Sequence, residues 1–181
     1  MEGIKKIRYQ YLFELVNEVR PKHVVEIGTW NGKRAAEFMA VSNCYYTGFD
    51  LFEAATKETD EEELNVKSNC DMMEVAKTIE SVGFSRFCLI RGNTKETLWK
   101  AKLEPFDFCF IDGGHSVLTI QNDYEWAITH IDPGGIIVID DYYTPEKVGF
   151  GCNFLEDKGT LFEGSDKIRS GGHVSMLRID A

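Results

Sequence analysis

Between residues 106 and 143 the chain reads FDFCFIDGGHSVLTIQNDYEWAITHIDPGGIIVIDDYY, and no other stretch restricts the fold as strongly. Two apolar runs, 106–111 and 135–139, each end in acid. Between them Val117, Ile120, Tyr124, Ile128 and Ile131 recur at helical spacing until Asp132-Pro133-Gly134 stops the helix. Continuous apolar runs joined by a helix predict a βαβ unit whose parallel strands are buried on both faces. The carboxyl ends of such strands share one edge, where open α/β sheets bind ligands. Asp112 leaves the first strand at that edge, and Asp140 and Asp141 leave the second. Successive side chains alternate faces, so Asp140 and Asp141 share a target only if the strand has ended there. Three carboxylates around one crevice repel each other unless a cation neutralises them, and a hard divalent ion such as Mg²⁺ suits oxygen ligands.

The segments before this unit repeat its logic. Residues 4–19 place Ile4, Ile7, Tyr11, Leu12, Leu15, Val16 and Val19 at helical spacing, with Pro21 limiting the helix. Such a face covers the sheet or its edge; lying over the active site is the sharper alternative. Residues 23–27 form the first predicted strand, which runs into Glu26-Ile27-Gly28-Thr29-Trp30-Asn31-Gly32 and a helix over 33–41. Glycines at a strand-to-helix turn let a ligand approach the backbone, and the helix start offers free N–H groups. The spacing is not that of a dinucleotide fingerprint, which needs glycine where Trp30 stands. The second strand, 45–49, ends in Asp50, about 20 residues beyond the glycine turn, where an acid can bind ribose hydroxyls.

Residues 53–66, EAATKETDEEELNV, are rich in acid and predict a solvated excursion or mobile loop, with a lid over the crevice as the alternative. Helical spacing returns over 71–82, ended by Gly83. A third strand at 87–90 leads through Arg91-Gly92-Asn93-Thr94 into a helix over 95–103, with Thr94 expected as its cap. Beyond Tyr143 the pattern predicts a short helix at 149–157, a short strand at 160–163 and a final strand at 174–179.

A chain of 181 residues without linker or repeat predicts one domain, residues 1–181. A net charge of −10 argues against a nucleic-acid backbone as partner, since phosphate binding needs clustered Lys and Arg. Five cysteines with no CxxC spacing, and Cys88 and Cys109 within apolar strands, predict buried, reduced thiols. The charged first residues carry no secretory signal and no apolar run is long enough to span a membrane, so a cytoplasmic protein is expected. A homodimer stays open.

The ordered set VVEIGTWNG, YYTGFD, IRGNT, FDFCFIDGGHS and DPGGIIVIDDYY resembles the class I S-adenosylmethionine (SAM) dependent methyltransferases over residues 22–143. More narrowly it resembles metal-dependent small-molecule O-methyltransferases of the catechol and macrolide-sugar type. The resemblance implies an α/β, Rossmann-like fold with a seven-stranded, mostly parallel sheet, its last strand antiparallel and helices on both faces. It implies that Glu26 and the loop Gly28, Thr29, Trp30 and Gly32 hold the methionine end of SAM. Asp50, followed by Leu51, then binds the ribose, Thr94 contacts adenine, and Asp112 borders the cofactor. Asp112, Asp140 and Asp141 fall on the metal ligands, for Mg²⁺ or another divalent cation, and His115 falls on the general base of the macrolide-sugar branch. Two positions depart from the catechol branch: Gly113-Gly114 replaces bulkier residues, and Arg34 replaces a hydroxyl residue near the methionine carboxylate.

The implied chemistry is in-line attack of a small-molecule hydroxyl on the sulfonium methyl, the acceptor being a sugar or catechol-like diol. Such a reaction needs alignment and a deprotonated oxygen. A divalent ion lowers the pKa of a coordinated hydroxyl, and a histidine can accept its proton near neutral pH. Three alternatives remain: a SAM-binding protein without catalysis, a metal-independent methyltransferase, and a nicotinamide-dependent oxidoreductase on a similar sheet.

Overall fold

The computed structural model describes residues 8–162, 167–169 and 172–181. The expected N-terminal helix is present as α1 (Arg8–Val19); Ile4 and Ile7 lie outside the described residues. The alternation of strand and helix that follows gives β1 (His23–Ile27), α2 (Lys33–Ser42), β2 (Tyr45–Asp50), α3 (Lys57–Glu62), α4 (Met72–Ser81), β3 (Phe87–Arg91) and α5 (Thr94–Lys100). Then come β4 (Phe106–Ile111), α6 (Val117–His130), β5 (Ile131–Thr144), β6 (Thr160–Leu161), β7 (Lys167–Arg169) and β8 (Gly172–Asp180). Seven strands run in the order β3-β2-β1-β4-β5-β8-β6, and β7 pairs with β8 as an eighth. Strands β1 to β5 are parallel to their neighbours, whereas β8 is antiparallel to β5 and β6. This is the expected Rossmann-like sheet, with β7 as an addition.

Strand alternation divides the core into two layers. Val25, Ile27, Cys109, Ile111, Ile137 and Ile139 face α5 and α6, packing on Leu98, Ile120 and Trp126. Val24, Phe108, Phe110, Ile136 and Val138 face the other way, against Leu12 and Val16 of α1, Phe38 of α2 and Ile79 of α4. Each such large apolar side chain taken out of water contributes roughly 1.5–3 kcal/mol. Chain order reverses at β1 and β4, which pair Ile27 with Ile111, so the crevice opens just beyond Gly28 and Asp112. Among the described residues no helix is long and apolar enough to cross a membrane.

Several local expectations change. The strand expected over 135–139 begins at Ile131, directly after α6, and continues through the acids to Thr144. The cap of α5 is Asn93, whose side chain accepts from the Lys95 amide, and Thr94 is the first helical residue. The tail helix is a 3₁₀ turn at Asn153–Lys158. Cys109 is buried as expected, but Cys88 is only partly buried because β3 is the edge strand.

Candidate active site

The acids predicted to line the crevice do so, but strand alternation sorts them. Phe108, Phe110 and Asp112 share the face that carries Glu26 on β1 and Ile136, Val138 and Asp140 on β5. Both α1 and α2 cover that face, and each sends one polar side chain into it. The Arg34 guanidinium of α2 is ion-paired with Asp112 and with Glu26 at 2.7 Å, and donates to the Gly28 carbonyl at 3.0 Å. It also lies 5.1 and 5.2 Å from the ring centroids of Tyr9 and Phe110. The Tyr9 hydroxyl of α1 lies 3.1 Å from Asp140 Oδ2 and 3.3 Å from Asp112 Oδ2. The first helix therefore reaches the candidate site, as its sharper reading required.

Asp141 leaves this arrangement. It adopts φ 67°, in the left-handed region, where β5 shifts register against β8 between Ile139 and Tyr142. Its amide donates to Asp140 Oδ1 at 2.6 Å. The Asp141 carboxylate instead lies 3.3 Å from His115 Nε2 and accepts from the Tyr143 hydroxyl at 3.1 Å. The strand has not ended at the acids, so Asp140 and Asp141 point apart, and among the described residues the His, Cys, Asp and Glu side chains that gather three donor atoms within 4.8 Å of one another are Asp112, His115 and Asp141. That set differs from the expected Asp112, Asp140 and Asp141. Two carboxylates with an imidazole fit a divalent ion by donor chemistry, though the imidazole favours a transition metal over Mg²⁺.

Glu26 is fully buried, and its second oxygen accepts from the Tyr46 hydroxyl. Burial pushes its carboxyl above the ordinary carboxylate range, against the pull of Arg34. Thr29 also turns inward, its hydroxyl 3.2 Å from that of Tyr46. Packing explains both turn glycines: a Cβ on Gly28, at φ 95°, would sit 2.1 Å from the Asp112 carbonyl oxygen. Gly32, at φ 75°, caps α2 and meets Val75 of α4.

Gly28, Trp30, Asp50, Leu51, Thr94, Asp112 and His115 line one cleft of about 990 Å³ including its open mouth; Glu26, Thr29 and Gly32 do not. Asp50 is fixed at the rim by two backbone amides, Trp30 to Oδ2 and Phe52 to Oδ1, both at 2.8 Å. A second cleft, of about 1170 Å³ with its mouth, is lined by Tyr9, Asp140, Asp141, Tyr143, Lys147 and His173 among others. Asp112 and His115 line both clefts.

The acidic stretch 53–66 buries no side chain, as expected of a solvated excursion, but it also forms one wall of the cleft. Phe52 anchors its start in the core, a Thr56–Thr59 capping box starts α3, and Thr59, Asp60, Glu62 and Glu63 wall the first cleft. Glu63 accepts from Ser116 and Thr119 at the start of α6. Burial alone would raise its carboxyl, but those donors outweigh it and hold the group below its ordinary range. Beyond the segment, the Trp30 indole donates to the Ser68 carbonyl at 3.0 Å and the Lys67 ammonium lies 5.1 Å from the Trp30 ring centroid. Sequence reasoning missed Tyr9 and Glu63 because nothing local marks them. Arg34 carried one signal, a charge on the helix face that buries Ala35 and Phe38.

No curated protein sequence matches the chain. Among solved structures it resembles an rRNA methylase from Streptococcus thermophilus at 15% identity and TM-score 0.67, covering 98% of each chain. An O-methyltransferase from Bacillus cereus in complex with SAH is 18% identical, with TM-score 0.61 and 99% of this chain and 84% of that one covered. The N-methyltransferase NodS from Bradyrhizobium japonicum, bound to S-adenosyl-L-homocysteine (SAH), is 12% identical at TM-score 0.65, with 96% and 84% covered. At such identities the likeness is one of fold. Residues 25–142, from the first strand through the acids of β5, match the family described as a methyltransferase domain, and the chain belongs to that family.

Proposed function

We propose that the protein transfers a methyl group from SAM to a hydroxyl of a small molecule, a sugar or catechol-like diol. The observation that carries this reading is the meeting of two clefts at Asp112 and His115, one sized for a cofactor and the other open to an acceptor. In the first, Asp50 is held by two amides, yet each carboxylate oxygen keeps a lone pair for a ribose hydroxyl. The Gly28 backbone and Trp30 border the same cleft, on the side of the methionine end. Glu26 acts one step back by holding Arg34, which in turn donates to the Gly28 carbonyl and fixes the turn that borders the cleft. The net charge of −10 favours a small acceptor over RNA.

His115 serves as the base. Its Nδ1 lies 2.5 Å from the Glu63 carbonyl oxygen and its Nε2 3.3 Å from the Asp141 carboxylate; both partners only accept, and the shorter contact favours the proton on Nδ1, leaving the Nε2 lone pair toward the junction. A divalent ion, if bound, would be held by Asp112 and Asp141, with His115 in reach, and would acidify a coordinated hydroxyl. One nitrogen cannot both ligate an ion and take a proton, so these uses of His115 exclude each other. A second reading, metal-independent transfer, is favoured by Arg34, which already sets a cation against Asp112. Assaying transfer of labelled methyl from SAM to sugar diols and catechols, with and without EDTA and added Mg²⁺ or Mn²⁺, tests both. Transfer to none of them, with SAH failing to bind in calorimetry, would refute the cofactor assignment itself.

A further inference from the structure

Glu63 stands just past α3 in the acidic segment, 52 residues from His115, yet it grips the start of α6 through three donors. Its Oε2 accepts from the Ser116 amide at 2.7 Å, and its Oε1 accepts from the Ser116 hydroxyl at 3.0 Å and the Thr119 hydroxyl at 2.5 Å. Ser116 caps this 14-residue helix, whose positive end favours a carboxylate. Gly114 leaves the space: a Cβ there would lie 2.7 Å from Glu63 Oε2. The Glu63 backbone carbonyl lies 2.5 Å from His115 Nδ1, as an acceptor for its N–H.

We propose that Glu63 is a positioning residue, latching the acidic segment onto α6 so that its own carbonyl fixes which nitrogen of His115 faces the junction. Because the latched segment also walls the first cleft, cofactor binding and presentation of the imidazole are coupled. The catalytic consequence rests on the reading of His115 as the base; the positioning itself does not. An unconstrained neutral histidine prefers its proton on Nε2, the form that would leave no lone pair toward the acceptor. The latch reverses that preference by holding an acceptor 2.5 Å from Nδ1, closer than the competing Asp141 carboxylate, which lies 3.3 Å from Nε2.

Nitrogen–proton correlation spectra of the imidazoles at alkaline pH, with and without saturating SAH, read this directly; loss of one signal in His115→Gln assigns it. In the wild type His115 should be protonated on Nδ1 with Nε2 bare. Glu63→Ala should move the proton to Nε2 and lower turnover by about a hundredfold, the lower end of the range for a general base. Glu63→Gln, which keeps one carbonyl acceptor, should restore part of both. Should Glu63→Ala fail to fold, Thr119→Val removes one of the donors and should move the tautomer in the same direction. An unchanged tautomer in the folded variants overturns the proposal. A changed tautomer with unchanged turnover supports the positioning and overturns the assignment of His115 as base. SAH binding, measured separately by calorimetry, reports on the cofactor reading alone.

Discussion

Asp123 is fully buried on α6, and its Oδ2 has no hydrogen-bonding partner, while Oδ1 accepts from the Asn122 amide at 3.0 Å. Burial pushes its carboxyl up to about 7, from an ordinary 3.8, although the neighbouring polar side chains of Thr94 and Asn122 pull it down. The sign follows from linkage: the unfolded chain loses this proton near pH 3.8 and the folded one only near 7. The stabilising effect of the neutral carboxyl is complete below about pH 4 and is lost as pH rises to about 7. At 1.36 kcal/mol per pH unit, that window sets a ceiling of about 4 kcal/mol. Asp123→Asn removes the titration. The gap between variant and wild type in urea unfolding should therefore be constant below pH 4, move in the variant's favour up to pH 7 and level off above. The amide group placed at the unpartnered Oδ2 position adds an offset of about 1–3 kcal/mol against the variant, the same at every pH. The shape of the difference is thus the test, and a gap independent of pH would refute the assignment of Asp123 as the titrating group.

Other outcomes follow from the candidate site. Arg34→Met should destabilise by about 3–5 kcal/mol, because it leaves Glu26 and Asp112 as uncompensated buried charges; adding Glu26→Gln should recover part of the loss in thermal melts. Asp50→Ala should weaken SAH binding in calorimetry by about 1–3 kcal/mol, and unchanged affinity would remove Asp50 from the cofactor site. His115→Ala should lower turnover by roughly 10²–10⁴ with SAH affinity nearly intact; full activity in excess EDTA would assign the reaction to the metal-independent reading.

The sheet was legible because its central strands are buried on both faces, and a run such as Phe106–Ile111 has no other economical fold. The positions of Asp50 and Asp112 followed from where their strands end. The partition of Asp140 from Asp141 was half legible: Ile136, Val138 and Asp140 fall on one face by alternation alone, but the left-handed turn at Asp141 has no glycine or asparagine to announce it. Tyr9 and Glu63 were beyond local reading, since their contacts span 103 and 53 residues. The acidic run is the solvated face its charge announces, and what the sequence hides is that Ser116 and Thr119 claim one of its members, Glu63.

The continuation of β5 past its acids gives the site two halves of unequal stiffness. Ile139 pairs with Leu177 before the acids, and Tyr142 and Tyr143 pair with Ser175 and Val174 after them, so Asp140 and Asp141 sit in the register shift itself, flanked by hydrogen-bonded sheet. They cannot move without breaking a ladder in the middle of the molecule. The His115 imidazole, by contrast, meets the Asp141 carboxylate on one side and on the other makes one hydrogen bond to a segment whose own helix buries no side chain. In amide hydrogen exchange, β5 should open only with global unfolding, whereas residues 57–63 should exchange through a local opening. Of the two sides, only the imidazole can yield to an incoming acceptor, and the acids form the fixed frame against which it closes.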